Sequence, residues 1–153
     1  MNKNEYFTLM GELLAYANGM HTMAEKIRKQ ARKAYPENED FQELVYAMEK
    51  EIKVPYSNGE IKAFRTWRDN TEKGEDRFVL DDFLFEIEIA GFVYALREAG
   101  VERFYTTNHS TALMDNIHGF LAAGCTLVGP AMIEVSNSWN KATTAMALEF
   151  EVN

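Results

Sequence analysis

The most reactive side chains of this 153-residue chain are concentrated in residues 101–129. His109, His118 and the single cysteine, Cys125, all lie there. A cysteine beside a histidine is the smallest nucleophile–base pair for covalent catalysis. However, Cys125 opens an apolar strand pattern, where a lone cysteine usually packs as a small hydrophobic side chain. The two histidines are also off the i, i+4 spacing of a helical metal site. We therefore predict no catalytic residue, no metal and no cofactor.

The loop after the first strand of this region is a candidate ligand site. Its polar residues are Tyr105, Thr107, Asn108, His109 and Ser110. Ligands of open α/β sheets bind at the carboxyl ends of strands, and the N-terminus of the next helix offers free N–H groups to an anion. The loop has no glycine that would bring its backbone close to a phosphate. Ser110 or Thr111 is more simply the N-cap of the next helix. A ligand-binding or enzymatic loop is therefore the alternative hypothesis.

The same region predicts a strand–helix–strand unit. Residues 103–107 form the first strand, and residues 125–135 form the second, which is interrupted at Gly129-Pro130. A connection of this length predicts parallel strands joined by a crossover helix. Residues 145–152 then alternate between apolar and polar side chains, so they predict a strand that pairs back on 131–135 across a turn at 136–140.

Two helices are predicted before this unit. The first covers residues 5–34, ends before Pro36 and carries one apolar stripe at steps of three and four. The stripe consists of Leu9, Leu13, Tyr16, Met20, Ala24, Ile27 and Ala31. The second helix is spaced for a buried stripe made of Phe41, Leu44, Val45, Met48 and Ile52. A short link predicts an antiparallel helical hairpin. Because heptad-like spacing suits a second copy equally well, a homodimer through the N-terminal helix stays open.

The middle of the chain is more ambiguous. Residues 60–68 fit either a short helix or an alternating strand, and we favour the helix. Residues 82–90 alone also resemble a strand, but the full pattern from Asp81 or Asp82 to Gly100 is too long for one. It predicts a buried central helix with an apolar face of Phe85, Ile89, Phe92, Val93 and Leu96.

These elements predict an α+β fold. An N-terminal helical hairpin and a central helix pack on a small mixed three-stranded sheet that contains one β-α-β crossover. The length predicts a single domain over residues 1–153, with a mainly helical half at 1–75 and a helix plus β-α-β-β half at 76–153.

The charge distribution bears on partners and location. A net charge of −8 argues against nucleic acid as a partner, since non-specific binding depends on Lys and Arg contacts with phosphate. The apolar runs are shorter than the ~20 residues of a membrane span. The N-terminus has no apolar export segment, so we expect a cytoplasmic protein without a membrane partner.

One basic cluster stands out in this acidic chain. It contains Lys26, Lys29, Arg32 and Lys33, together with Arg28. Cations at a helix C-terminus are favoured by the helix dipole, and the next helix begins with acidic residues. A structural role is therefore favoured for the cluster, and an interaction surface for nucleic acid or an acidic protein is the functional alternative.

Residues 77–125 resemble a group of small uncharacterised proteins of Gram-positive phages and mobile elements. The shared features are ALREAGV at 95–101, STALM at 110–114 and Gly124-Cys125. The resemblance covers most of residues 36–135 and implies a context rather than an activity. Small acidic proteins of mobile elements often block a host defence complex by binding it. We therefore expect a non-catalytic protein-binding module whose partner is a host protein complex, such as an anti-CRISPR protein.

Overall fold

The structure, a computed structural model, describes residues 1–37, 39–136 and 142–153. Its elements in chain order are α1 Lys3–Ala34, α2 Glu39–Lys50, α3 Asn58–Glu72, β1 Val79–Leu80, α4 Glu86–Glu98, β2 Arg103–Thr106, α5 Leu113–Ala122, β3 Thr126–Ser136 and β4 Ala142–Glu151. The fold is α+β, as predicted. Most of the predicted turn at 136–140 lies outside the described residues.

Contacts divide the chain into two compact units. One unit contains Met1–Phe7 and Tyr56–Asn153, and the other contains Thr8–Pro55. The first unit holds the sheet with α3, α4 and α5, and the second holds α2 and most of α1. The single domain over 1–153, with its halves at 1–75 and 76–153, stays a prediction.

The sheet has four strands in the order β1-β2-β4-β3, rather than the three that were predicted. The additional strand, β1, has only two residues, too few for an alternating pattern to reveal it. It pairs in parallel with β2 through Tyr105 and Thr106. β4 lies between β2 and β3 and is antiparallel to both, so the strands on either side of α5 are parallel without being neighbours.

The long hairpin of β3 and β4 matches the sequence pattern. Residues 131–135 pair with the last strand, for example Met132 with Met146, as the alternation predicts. The interruption predicted at Gly129-Pro130 corresponds to a β-bulge in β3, where the pairing with β4 shifts register between Leu127 and Gly129. Gly129 has a φ of 141°, which an L side chain rarely adopts, so glycine allows the bulge.

An aromatic cluster forms the core of the unit that contains the sheet. Phe104 and Phe150 are register partners on β2 and β4, and their rings stack 5.1 Å apart. Phe120 of α5 contacts both rings, and Phe92 of α4 lies 5.9 Å from Phe104 between ring centroids. All four side chains are fully buried. Burial of each contributes roughly 1.5–3 kcal/mol, so this cluster fixes α4 and α5 on the sheet.

The central helix is present but begins later than predicted. α4 starts at Glu86 because the Glu88 carboxylate accepts the backbone N–H of Phe85, 3.1 Å away. Asp82 does not cap the helix: its carboxylate pairs with Lys62 at 2.7 Å and accepts the N–H of Phe83. Phe85 therefore precedes the helix, where its side chain is 62% exposed, and its assignment to the buried face was wrong.

The helix predicted over 60–68 is confirmed as part of α3. Ser57 and Glu60 form a capping box, in which the Ser57 Oγ accepts the Glu60 N–H and the Glu60 carboxylate accepts the Ser57 N–H. Such reciprocal bonds satisfy two donors that a helix start leaves free. The cap explains why the ambiguous pattern resolves as a helix.

Two buried asparagines hold the chain from β1 to the start of α4 by its backbone. The Asn70 amide accepts the Val79 N–H and donates to the Val79 carbonyl, at 2.8 and 2.9 Å. The Asn116 amide bonds Leu84 in the same way, at 2.8 and 2.7 Å. Asn70 thus takes the place of a neighbouring strand at the open edge of β1, whose other edge pairs with β2, and Asn116 does the same for Leu84, which lies outside the strands.

Candidate functional site

The loop that sequence singled out as a ligand site is largely taken up by internal contacts. Tyr105 packs beside Val79, Ile133 and Ala147, and its hydroxyl donates to the Glu149 carboxylate at 2.8 Å. This hydrogen bond raises the pKa of Tyr105, because ionisation would place a negative charge next to the carboxylate. Tyr105 therefore supports the sheet.

Asn108 is the most informative residue of this loop. It is buried, and its Oδ1 accepts the Ser110 N–H at 2.8 Å, which forms a local turn. Its Nδ2 has no hydrogen-bond partner within the described part of the chain. A buried donor without an acceptor costs about 1–3 kcal/mol, so this amide is available to a ligand atom or an ordered water.

The predicted N-cap of the next helix is not at Ser110 or Thr111. α5 begins at Leu113 after Ala112, which makes no side-chain cap. The Ser110 hydroxyl instead accepts the Ala112 N–H at 3.2 Å, inside the turn that precedes the helix. His109 and Ser110 are exposed.

The cleft next to this loop is small. Thr107 lines it together with Lys73, Glu75 and Asp81, and its volume is about 80 Å³. This volume corresponds to roughly two or three water molecules at their bulk density. Of the five predicted ligand residues, Thr107 is the one that lines this cleft, so the five do not surround a common cavity there.

The nucleophile and metal hypotheses gain no support from the geometry. Cys125 is buried at the entry of β3, and burial raises the pKa of its thiol, which lowers the fraction of reactive thiolate. Among the described residues, no group of three or more His, Cys, Asp and Glu side chains could hold a metal ion. Within the same residues, no helix is both long and apolar enough to span a bilayer.

The basic cluster is partly neutralised by its own helices. Arg28 pairs with Glu49 at 2.7 Å, and Lys29 pairs with Glu25 at 3.0 Å. Arg32 donates from Nε to Gln42 at 3.4 Å. Lys26 and Lys33 are exposed and make no ion pair within residues 1–37, 39–136 and 142–153. Of the proposed interaction surface, these two cations and Arg32, whose partner Gln42 is uncharged, remain available to another molecule.

The largest unexplained feature is an exposed apolar row on α1. Its side chains are between 37% and 69% exposed, and they are Leu9, Leu13, Tyr16, Met20, Met23 and Ile27. The sequence pattern assigned most of these residues, together with Ala24 and Ala31, to a single stripe. In the structure the large members of that stripe are exposed, whereas Ala31 is buried along with Ala17 in a neighbouring row of the helix.

The second helix adds to this exposed surface. Arg32 bonds Gln42 near the start of α2, whereas His21 and Arg28 contact Glu49 near its end, so the two helices run antiparallel. Val45 is buried, but Leu44 and Met48 are 59% and 63% exposed, and their assignment to a buried stripe was wrong.

The exposed residues of both helices share one side of the hairpin. At about 100° per residue, each exposed set lies roughly a quarter turn from the residues that face the other helix. Because the helices are antiparallel, both quarter turns lead to the same side. We call this surface the apolar face, and it consists of Leu9, Leu13, Tyr16, Met20, Met23, Ile27, Leu44 and Met48.

Comparison with known proteins places the sheet unit in a family. Residues 62–152 match the family described as a domain of unknown function, DUF7698. The match runs from α3 through the last strand, so it includes the 105–110 loop and excludes the apolar face. No curated protein and no solved structure matches the chain. Because the match covers more than half of its residues, the chain belongs to the DUF7698 family.

Proposed function

We propose that this protein is a non-catalytic protein-binding module and that the apolar face is its docking surface. The carrying observation is the exposure of eight large apolar side chains on one side of residues 8–55. Contiguous apolar surface on a soluble protein commonly marks an interaction site. Covering it is favourable by about 25 cal/mol per Å² of apolar area removed from water.

The chemistry of the apolar face suits a protein partner. Three of its members, Met20, Met23 and Met48, have flexible and polarizable side chains that adapt to irregular surfaces. Lys26 and Lys33 are exposed on α1 and flank the face, which supports a polar rim around an apolar centre. The partner therefore combines an apolar surface with acidic groups at its edge.

The class of partner comes from the resemblance to phage and mobile-element proteins. That context supports a cytoplasmic host defence complex as the target, with the protein acting as an anti-CRISPR-like inhibitor. Binding alone would block such a complex, so no catalytic residue is required.

The docking proposal predicts that charge on the apolar face abolishes partner capture. The double variant Leu13→Glu with Met20→Glu should reduce the amount of host complex captured by about tenfold or more, since central apolar contacts dominate interface energies. The matched control, Ala15→Glu with Thr22→Glu, adds the same charge on the opposite side of α1, where both residues are exposed. Affinity capture quantified by mass spectrometry compares the three proteins. Equal capture by both double variants would refute the assignment of the face.

A small-ligand-binding domain is the second candidate function, and the unpaired Asn108 Nδ2 favours it. This alternative predicts a bound small molecule in the native mass spectrum of protein purified from its host. Asn108→Asp replaces the free donor by an acceptor and should remove the extra mass. A spectrum of the wild-type protein without any bound mass would contradict this candidate.

A further inference from the structure

We infer that the α1 row of the apolar face binds the same row of a second copy of the chain, with the two helices antiparallel. This inference rests on the proposed function, because it takes the apolar face to be a docking surface and names a second copy of the chain as a molecule that binds there. Its geometric basis is the spacing of the row, and its orientation follows from the charges beside it.

The spacing of the row is that of a coiled-coil seam. Leu9, Leu13, Tyr16, Met20, Met23 and Ile27 are separated by alternating steps of four and three residues. An average step of 3.5 residues keeps a seam facing a partner helix along a left-handed supercoil. At 1.5 Å per residue the seam is about 27 Å long. All six side chains are exposed, so the seam is available to another helix.

An antiparallel pair matches every layer of this seam. The row is symmetric about Asn18, so Leu9 meets Ile27 of the second copy and Leu13 meets Met23. The central layers join Tyr16 to Met20. Each layer is therefore apolar on both sides, and the interface is self-complementary, as a two-fold symmetric dimer requires.

The charges that flank the seam select this orientation. Three seam residues recur every seven positions, at 13, 20 and 27, and one further repeat on each side falls on positions 6 and 34. The residues immediately before these five positions form a flanking row, which consists of Glu5, Glu12, Gly19, Lys26 and Lys33. The N-terminal part of this flanking row is acidic and the C-terminal part is basic. In an antiparallel pair this row faces itself, so Glu12 lies opposite Lys26 of the second copy, twice per dimer. Neither side chain makes an ion pair within the described part of the chain.

A parallel pair gains no such charge contacts. There the flanking row would face the row on the other side of the seam, which contains Met10, Ala17, Ala24 and Ala31. Lys26 would lie against alanine, and its charge would be left without a partner. Electrostatic complementarity therefore favours the antiparallel dimer, and like charges would oppose a shifted register.

A charge-reversal cycle on the full chain tests this inference. Sedimentation velocity should show a dimer of the 17.5 kDa chain at micromolar concentration and low salt. Glu12→Lys and Lys26→Glu should each raise the dimer dissociation constant by about tenfold, because each places like charges opposite one another. The combined variant Glu12→Lys with Lys26→Glu should bring the constant back to within about threefold of wild type, since the pairs are reformed with reversed sign. Lys29→Glu, the same charge change away from the seam, serves as the control.

The outcomes separate this inference from the proposed function. A wild-type chain that stays monomeric, or a dimer that the single reversals leave unchanged, overturns the antiparallel seam. If either result is found and the variant Leu13→Glu with Met20→Glu still captures less host complex than wild type, the docking proposal stands without the dimer. A dimer that weakens with each single reversal and recovers with the combined one supports the inference whether or not a host complex is captured.

Discussion

Gly59→Ala is expected to lower the free energy of unfolding by about 3 kcal/mol or more, a large share of the 5–15 kcal/mol typical of a domain. A Cβ at position 59 would lie 2.7 Å from the Phe92 nitrogen and even closer to the Glu88 carbonyl oxygen. Both atoms belong to the backbone of α4, so no side chain can rotate away. The helices would have to separate, and Phe92 would leave its place in the aromatic cluster.

Urea unfolding of matched glycine variants measures this effect. Gly19 is helical, and a Cβ there meets nothing within 4 Å, so Gly19→Ala should stabilise the protein by up to about 1 kcal/mol through helix propensity. Gly91→Ala is intermediate, because its Cβ would clash with the Ser57 Oγ, which can rotate but then loses its cap, at a cost of about 1 kcal/mol. If Gly59→Ala behaved like Gly19→Ala, the close approach of α3 and α4 would be disproved.

The elements that periodicity predicts well are those whose pattern is local. The helices, β2, the hairpin of β3 and β4, and the bulge at Gly129 follow from the spacing of apolar side chains and from one glycine. β1 was missed because its two residues acquire a strand conformation only by pairing with Tyr105 and Thr106. The start of α4 was misplaced because Glu88, and not an aspartate, supplies the cap.

The candidate docking face could be predicted only in part. The seam on α1 is visible in the sequence, but its spacing does not tell whether it is buried in its own chain or left exposed. The structure decides this, because small residues such as Ala17 and Ala31 occupy the buried side of α1. The roles of Asn70, Asn108 and Asn116 could not be predicted at all, since an asparagine in a turn and one that holds a distant backbone segment look alike in sequence.

Asn116→Asp is expected to destabilise the folded protein by about 3 kcal/mol at neutral pH. Asn116 is 3% exposed, and its Nδ2 donates to the Leu84 carbonyl oxygen at 2.7 Å. A carboxylate at this position can still accept the Leu84 N–H, but its second oxygen would face the carbonyl oxygen without a proton between them. The variant therefore loses a donor and buries a negative charge without a cation.

The pH dependence of this variant tests the explanation. Burial and the facing carbonyl raise the pKa of the new carboxyl in the folded state above the roughly 3.9 of an unfolded aspartate. The loss in free energy of unfolding relative to wild type should be small at pH values below the pKa of the unfolded state, where the protonated acid can donate to Leu84. It should grow as the pH rises through the pKa of the folded state. Asn108→Asp is the matched control, because the Asn108 Nδ2 donates to no described residue and its Oδ1 contact with Ser110 is retained. A pH-independent deficit at position 116, or an equal one at position 108, would show that the donated bond to Leu84 does not hold this segment.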